Sequence, residues 1–317
     1  MKILVISGFL GAGKTTFIKA LAKHTGKDFA ILENEYGSVG VDGDTLKDSM
    51  DAGNVNIWEM AEGCICCSMK GDFTASVLTI ANTVDPEYLV IEPTGVGMLS
   101  NIIQSLQEIE YERISLLAPV TIVDGHSYER YRREFPELYR DQIASARTIV
   151  ASKMEQADAE ERKVLGKKLR EWNPDALIVT EHYSGMSSDW WNRLLESGYD
   201  GQVLKDAGAN TEGMPDTFSL NGVSLESPER LILLMEQIVY GQFGDIFRAK
   251  GHLRAGGRMF RFDVADGQYS VMDMDTDQEG KAVFIGNDIS RQKLRRVFFR
   301  RREKGAPVKA RAEISRS

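Results

Sequence analysis

The run Gly8-Phe9-Leu10-Gly11-Ala12-Gly13-Lys14-Thr15 decides the fold of this chain. It matches the pattern GxxxxGK[ST] and lies between a strand-like run and a helical pattern, which is the context that such a phosphate-binding loop requires. Its glycines allow main-chain N–H groups to wrap phosphates, and the helix N-terminus favours an anion. We expect Lys14 to reach the β- and γ-phosphates and Thr15 to bind Mg²⁺. The predicted phosphate-binding residues are Gly8, Gly11, Ala12, Gly13, Lys14, Thr15 and Thr16.

Apolar runs alternate with helical patterns along the first two hundred residues. This alternation predicts an α/β fold with a mainly parallel sheet covered on both faces. After residue 216 the pattern changes to a strand at Phe218–Leu225, a helix and a hairpin around Asp266-Gly267, which predicts a smaller α+β domain. The predicted division is a P-loop domain at 1–196, a linker at 197–216, a C-terminal domain at 217–300 and a basic tail at 301–317.

The composition is that of an ordinary globular protein, with 317 residues, 42% hydrophobic residues and a net charge of -8. This acidic balance argues against broad nucleic-acid binding. No stretch approaches the ~20 apolar residues of a membrane span. The three cysteines are clustered and have no partner elsewhere, so we expect a reducing cytoplasmic location and no disulfide framework.

Two acidic segments follow predicted strands. Glu92-Pro93-Thr94-Gly95 supplies an acid near the expected Mg²⁺ and a glycine whose N–H group can sense a γ-phosphate. Lys14, Glu92 and Gly95 are therefore the predicted catalytic residues; a simple strand end turning at Pro93 is the alternative. Glu33, Asn34 and Glu35 follow another strand and are predicted to form a switch or a relay, with a solvated loop as the alternative.

The base-binding element is predicted at Ser152-Lys153-Met154-Glu155, after the strand Thr148–Ala151. Guanine is usually recognised by the motif Asn-Lys-x-Asp, whose carboxylate accepts hydrogen bonds from the base. Here Lys153 can stack on a base and Glu155 can accept hydrogen bonds, but its longer arm changes the geometry, so a preference for GTP over ATP is expected without being strict. His182 is a further candidate for the base pocket, and Asp124 is either a site acid or a structural cap.

All three cysteines, Cys64, Cys66 and Cys67, lie within four residues. Thiolates are the ligands that soft transition metals prefer, and three of them leave one tetrahedral position open for exchange. Glu62, Glu59, Glu35, water or a client protein could supply the fourth ligand. The alternatives are redox-active thiols or buried inert cysteines.

These motifs together resemble the CobW-like P-loop GTPases, relatives of the nickel-insertion GTPases of urease and hydrogenase maturation. The resemblance rests on the phosphate loop, Glu33-Asn34-Glu35, the cysteine run, Glu92-x-x-Gly95 and a later Arg248-x-Lys250-Gly251, in that order. It implies a slow GTPase that binds zinc, cobalt or another transition metal and delivers it to a client metalloprotein. Many members carry a histidine-rich stretch, which this chain with four histidines lacks; bulk metal storage is therefore not expected.

The expected ligands are GTP or GDP, Mg²⁺ and Zn²⁺ or Co²⁺. The expected partner is a client metalloprotein; related P-loop proteins often dimerise, so a homodimer is one expected state, and neither nucleic acid nor membrane is expected. Three rivals belong to other classes. One is a non-enzymatic, nucleotide-dependent metal sensor or interaction protein, and another is a P-loop kinase or an ATP-dependent activator of a corrinoid or redox protein. The third is thiol redox chemistry at the cysteines.

Overall fold

The computed structural model describes residues 1–33, 55–59, 70–201, 215–265, 267–275 and 278–299, with the main chain only at 55–59 and 70–72. The chain divides into two compact units, Met1–Ser219 and Leu220–Ser317.

The first unit is built on an eight-stranded sheet in the order β3-β2-β4-β1-β6-β7-β8, with β5 paired to β1. Every recorded pairing in it is parallel. Parallel strands require crossover connections, which here are helices, so the strands are buried and read as continuous apolar runs. Its strands are β1 (Lys2–Gly8), β2 (Phe29–Glu33), β3 (Val55–Glu59), β4 (Tyr88–Glu92), β5 (Ser115–Leu116), β6 (Val120–Asp124), β7 (Thr148–Ser152) and β8 (Leu177–Val179).

The helices of this unit pack their apolar faces on the sheet. The cluster of buried residues that includes Phe17 and Leu21 of α1 also contains Trp191, which is fully buried. The helices are α1 (Lys14–Thr25), α2 (Lys70–Thr83), α3 (Leu99–Gln107), α4 (Tyr128–Glu134), α5 (Pro136–Ala144), α6 (Ala159–Trp172) and α7 (Ser188–Glu196), with a 3₁₀ turn at Tyr183–Gly185.

The second unit is an antiparallel sheet in the order β13-β12-β11-β14-β9, with β10 added in parallel to β11. Among the residues that the structure describes, two helices complete it; α8 buries Leu231, Leu234, Met235 and Ile238. The elements are β9 (Asp216–Asn221), β10 (Ser224–Leu225), α8 (Pro228–Val239), β11 (Asp245–Ala255), β12 (Arg258–Ala265), β13 (Gln268–Met274), β14 (Lys281–Asn287) and α9 (Arg291–Phe298).

The predicted fold class is confirmed: a mainly parallel α/β unit is followed by a separate antiparallel α+β unit. The single strand predicted at Phe218–Leu225 is wrong in detail, because a turn at Gly222, with φ of 66°, separates β9 from β10. Most of the predicted linker lies outside the described residues, as does the basic tail.

Candidate nucleotide site

The phosphate loop connects the end of β1 to the start of α1. Gly13 is the N-cap of α1 in a left-handed conformation, with φ of 92°, which glycine adopts at little cost. No side chain caps this helix, and its first turn contains no acidic residue. The N-terminal N–H groups of α1 therefore lack a side-chain acceptor at the cap, and their partial positive charge favours an anion.

The carboxylate of Glu92 meets the last two residues of the loop motif. The Thr15 hydroxyl donates to both carboxylate oxygens, at 3.2 and 3.1 Å. The Lys14 ammonium lies 3.9 Å from Glu92 Oε1 and donates to the carbonyl of Phe9 at 3.4 Å. Both Lys14 and Glu92 are largely buried, at 7% and 15% side-chain exposure. An oppositely charged pair thus lies beside a hydroxyl in a place that water reaches poorly, where electrostatic interactions are strengthened.

The segment after Glu92 lies directly against the phosphate loop. A Cβ atom on Gly95 would lie 2.5 Å from the Leu10 nitrogen, so the approach of the two backbones requires glycine. Gln142 of α5 fixes this segment, because its buried side-chain amide donates to the carbonyls of Gly95 and Gly97 at 3.1 and 2.9 Å. Gly95 is therefore a point of contact between the phosphate loop and the segment that follows Glu92.

Three glutamates end neighbouring strands in register. Glu33 of β2 pairs with Glu92 of β4 on one side and with Glu59 of β3 on the other. Cys64 follows Glu59 by five positions in the sequence. The carboxyl edge of the sheet therefore runs from the phosphate loop, through Glu92 and Glu33, to the strand that leads into the cysteine run.

The predicted base segment is attached to the phosphate loop. The Ser152 hydroxyl donates to the carbonyl of Ala12 at 2.6 Å and to that of Val123 at 3.3 Å. Lys153 adopts a positive φ of 56°, and its ammonium lies 2.7 Å from Asp124 Oδ2. Because Asp124 also accepts the N–H groups of residues 126 and 127, it serves both as a local cap and as the partner of Lys153.

Glu155 and His182 lie side by side on adjoining loops. Glu155 Oε1 is 3.3 Å from His182 Nε2, and the other ring nitrogen, Nδ1, is 2.5 Å from the Ser184 hydroxyl. The His182 ring stacks on Tyr183, with centroids 4.7 Å apart. The structure thus brings together Ser152, Lys153, Glu155 and His182, because β7 and β8 are parallel neighbours.

Two supporting residues escape sequence reasoning. Gln142 and Asp141 both lie on α5, which the apolar pattern does not predict. Asp141 Oδ2 accepts the N–H group of Ser100 near the start of α3 at 3.2 Å. Burial raises the pKa of this carboxyl group, and the hydrogen bonds from Ser100 partly offset the rise. Adjacent Asp and Gln residues indicate a supporting role only if they are known to be buried, and the sequence does not show this until a helix is assigned to the segment.

Phe9, the second residue of the loop motif, is buried against rings from α4 and α5. Its ring centroid is 4.2 Å from that of Tyr131 and 5.3 Å from that of Phe135. Tyr139 meets Phe9 edge-on, and burial raises the pKa of its phenol well above the usual value. This aromatic cluster fixes the first half of the loop.

The predicted metal ligands Cys64, Cys66 and Cys67 lie outside the described residues, as do Asn34, Glu35 and Glu62. Within the described ranges, no group of three or more His, Cys, Asp or Glu side chains is arranged to hold a metal ion. The helices of those ranges include none with the length and apolarity needed to cross a bilayer.

The parallel sheet and the glycine-capped loop before α1 define a nucleotide-binding protein of the P-loop class. A model of the CobW/HypB/UreG nucleotide-binding domain matches residues 2–180, and a model of the cobalamin synthesis protein CobW C-terminal domain matches residues 217–301. The chain belongs to the CobW/HypB/UreG family.

Curated relatives include zinc chaperones. The chain is 35% identical over 182 residues to the zinc chaperone YeiR of Escherichia coli, covering 56% of this chain and 54% of that protein. It is 29% identical over 189 residues to the zinc chaperone CobW of Pseudomonas aeruginosa, covering 50% of each. The matched part thus spans about half the length of these relatives. The crystal structure of Zn(II)-bound YjiA GTPase from E. coli aligns over 94% of this chain and 97% of that one, with 19% identity and a TM-score of 0.43.

Proposed function

We propose that this protein is a slow GTPase that binds a transition metal at Cys64, Cys66 and Cys67 and delivers it to a client metalloprotein. The observation that carries the nucleotide part is the contact of Glu92 with both Lys14 and Thr15. The family membership and the zinc-chaperone relatives support the metal part.

The triphosphate is held by the loop and the start of α1. The main-chain N–H groups from Gly11 to Thr16 surround the phosphates, with Gly8 and Ala12 shaping the turn. Lys14 leaves the Phe9 carbonyl and neutralises the β- and γ-phosphates. Lys14 thus gives up a weak 3.4 Å hydrogen bond to a neutral carbonyl and gains charge-assisted hydrogen bonds to phosphate oxygens, which favours nucleotide binding.

The residues beside the loop fit Mg²⁺. The Thr15 hydroxyl and the Glu92 carboxylate are hard oxygen donors, already within hydrogen-bond distance of each other. When bound, Mg²⁺ neutralises charge on the β- and γ-phosphates. Thr15 would be a direct ligand, and Glu92 would act through a water molecule.

Hydrolysis requires an oriented water and a neutralised phosphate. Water attacks the γ-phosphorus, the bond to the bridging oxygen breaks, and GDP and inorganic phosphate leave. Glu92 orients that water, or would help to hold Mg²⁺ if the ion is bound; Lys14 stabilises the growing negative charge, and the Gly95 N–H group donates to the γ-phosphate. Loss of the γ-phosphate releases Gly95, which makes its loop the sensor of hydrolysis.

The base is recognised by Ser152, Lys153 and Glu155. Ser152 holds the segment on the phosphate loop, Lys153 stacks on the ring, and Glu155 accepts hydrogen bonds from guanine. The ion pair between Lys153 and Asp124 fixes the stacking residue.

The metal and nucleotide sites are coupled through the carboxyl edge of the sheet. Glu33 lies in register between Glu92 and Glu59, and Glu59 precedes the cysteine run. GTP binding changes the contacts of the Glu33-Asn34-Glu35 switch and completes the metal site; hydrolysis reverses this change and releases zinc or cobalt. Coupling of this kind requires that the metal affinity differ between the nucleotide states.

The test is an anaerobic Co²⁺ titration that follows thiolate charge-transfer absorption, with a non-hydrolysable GTP analogue, with GDP and without nucleotide. We expect a one-to-one signal that strengthens with the analogue and disappears in Cys66→Ser. Equal affinity in all three states would reject the coupling, and the absence of any thiolate signal would reject the metal site.

A second assay tests hydrolysis separately. Glu92→Gln keeps the shape but removes the charge, so we expect the turnover of GTP to fall by about a hundredfold or more. Glu87→Gln is the matched control, because Glu87 is exposed and lies just before β4, at the opposite end of the strand from Glu92. Negligible turnover by the unmodified protein with metal present would favour the nucleotide-dependent sensor.

We infer a P-loop domain at 1–196, a linker at 197–216, a client-reading domain at 217–300 and a basic tail at 301–317. The protein works in the cytoplasm, where its thiols stay reduced, and a homodimer is one of its expected states. Size-exclusion chromatography with light scattering, with and without the GTP analogue, tests the last point.

A further inference from the structure

A groove runs between the two helices of the second unit. One depression of about 630 Å³ is bounded by α8 and α9. A second, of about 470 Å³, adjoins it and shares Gln237, Arg296 and Val297 with it. Because the two depressions share these residues, we treat them as one site and call it the α8–α9 groove; Ser224, Leu225, Gln242 and Phe243 complete its lining.

Each wall of the groove is one stripe of a helix. On α8 the lining residues follow helical spacing and are Arg230, Leu233, Leu234 and Gln237. On α9 they do the same and include Lys293, Arg296 and Val297. The floor includes apolar side chains: Leu225 and Val297 are half-buried in the lining, and Leu234 and Phe298 are buried. Leu233 is 42% exposed, which leaves an aliphatic side chain open to a partner at the rim.

The charge of the groove is mainly positive. Arg230, Lys293 and Arg296 line it, against one acidic residue, Glu226. Among the described residues, neither Arg230 nor Arg296 forms an ion pair. Lys293 is engaged with a carbonyl, that of Gln242, at 3.2 Å. An apolar floor with cationic rims, in a chain whose net charge is -8, is complementary to an acidic amphipathic segment.

We propose that the α8–α9 groove binds an acidic amphipathic peptide segment of a partner protein, with apolar anchors on the floor and carboxylates paired to Arg230 and Arg296. The identity of the partner as the metal client rests on the proposed function; the binding itself does not, because it needs neither nucleotide nor metal.

Two other occupants fit less well. Residues 300–317, which follow Phe299, carry seven basic and two acidic residues, so their charge repels that of the groove. A nucleic acid would satisfy the cations but would leave the apolar floor and Leu233 without a matching surface.

The test uses the full chain without nucleotide or metal. The probe is a fluorescein-labelled peptide with leucines at helical i, i+3, i+4 and i+7 spacing and glutamates between them, and binding is followed by fluorescence anisotropy. We expect saturable binding that weakens with salt. Two control peptides, one with lysines for the glutamates and one with alanines for the leucines, should bind at least about tenfold more weakly.

Matched variants locate the binding. Arg296→Glu and Arg230→Glu should weaken binding by about tenfold, whereas Arg295→Glu, on the same helix but outside the lining, should change it less than about twofold. Leu233→Ala should weaken it, while the neighbouring exposed Ile232→Ala should not. Urea unfolding of each variant separates loss of binding from loss of folding.

Three results would overturn the proposal. One is equal weakening by Arg295→Glu and Arg296→Glu. Another is displacement of the probe by a synthetic peptide of residues 300–317, which would assign the groove to the chain's own tail. The third is binding of an oligothymidine that Arg296→Glu abolishes while the leucine–glutamate peptide does not bind. Because GTP turnover and Co²⁺ binding are measured separately, failure here and failure of the proposed function are distinguishable.

Discussion

The side-chain hydroxyl of Ser152 donates a 2.6 Å hydrogen bond to the main-chain carbonyl of Ala12, 140 positions earlier in the chain. This bond joins the last residue of β7 to the loop that follows β1. Both groups are buried, at 5% and 1% exposure. The bond therefore holds the carboxyl end of β7 against the phosphate loop.

Replacing Ser152 by alanine should weaken nucleotide binding several-fold. The variant leaves the buried Ala12 carbonyl without this donor, which lowers the free energy of unfolding by about 1 kcal/mol. Titration with a fluorescent GDP analogue and urea unfolding measure the two effects. Ser115→Ala, at an exposed position, is the control; an unchanged nucleotide affinity in Ser152→Ala would contradict the prediction.

Replacing Gly95 by alanine should push the segment that follows Glu92 away from the phosphate loop. The added Cβ would meet Leu10 N at 2.5 Å and Leu10 Cα at 2.8 Å, so the backbone must shift. We expect a loss of about 1–3 kcal/mol in the free energy of unfolding, together with reduced GTP turnover. Gly198→Ala, where an added Cβ meets nothing within 4 Å, should leave both unchanged.

Gln142→Met should free the segment that contains Gly95. The change preserves volume but removes two hydrogen bonds to the carbonyls of Gly95 and Gly97, at a cost of about 1–3 kcal/mol. Turnover should fall more than affinity for GDP, because the γ-phosphate sensor is what loses its support. Gln104→Met, at an exposed position on α3, controls for the change of residue type.

Glu155→Gln should reduce discrimination between GTP and ATP. A carboxylate accepts hydrogen bonds from both donors of guanine, whereas an amide presents a donor of its own, so affinity for GTP should fall about tenfold or more while affinity for ATP changes little. Glu155→Asp should retain the preference. Competition of each nucleotide against a fluorescent GDP analogue measures the ratio; an unchanged ratio in Glu155→Gln would assign base recognition elsewhere.

The pH dependence of the free energy of unfolding should include a contribution from the ionisation of Asp141. Burial raises the pKa of its carboxyl group in the folded state, so the folded chain binds this proton more tightly than the unfolded chain. Its contribution to stability is therefore full below the unfolded pKa and is lost as the pH rises through the folded pKa.

Asp141→Asn removes this titration and keeps an oxygen for the Ser100 N–H group. We expect the variant to be more stable than the unmodified chain near neutral pH, with a difference that shrinks on acidification. Urea unfolding across the acidic range tests this, with Asp28→Asn at an exposed position as the control. A difference that grows on acidification would show that the sign is wrong.

The phosphate loop and the alternating pattern were sufficient to predict the α/β class and the strands β1, β2, β3, β4, β6, β7 and β8, of which β3 had the weakest pattern. Their apolar runs are continuous because parallel strands are buried on both faces. The family followed from the order of the motifs. The helices α3, α4, α5 and α7 were not predicted, because their patterns are short. In α3 and α5 the pattern is also interrupted by polar residues that the tertiary structure buries, such as Ser100, Asp141 and Gln142.

The sequence by itself determined which residues could hold a nucleotide, because the loop motif and the strand ends at Glu92 and Ser152 are local features. The tertiary structure alone decided how they meet. It placed Glu92 on Thr15, Gln142 on Gly95, and Ser152 on Ala12, contacts that span between 47 and 140 positions of the chain. The order of strands in the sheet sets these distances, and no periodicity within a single segment encodes that order.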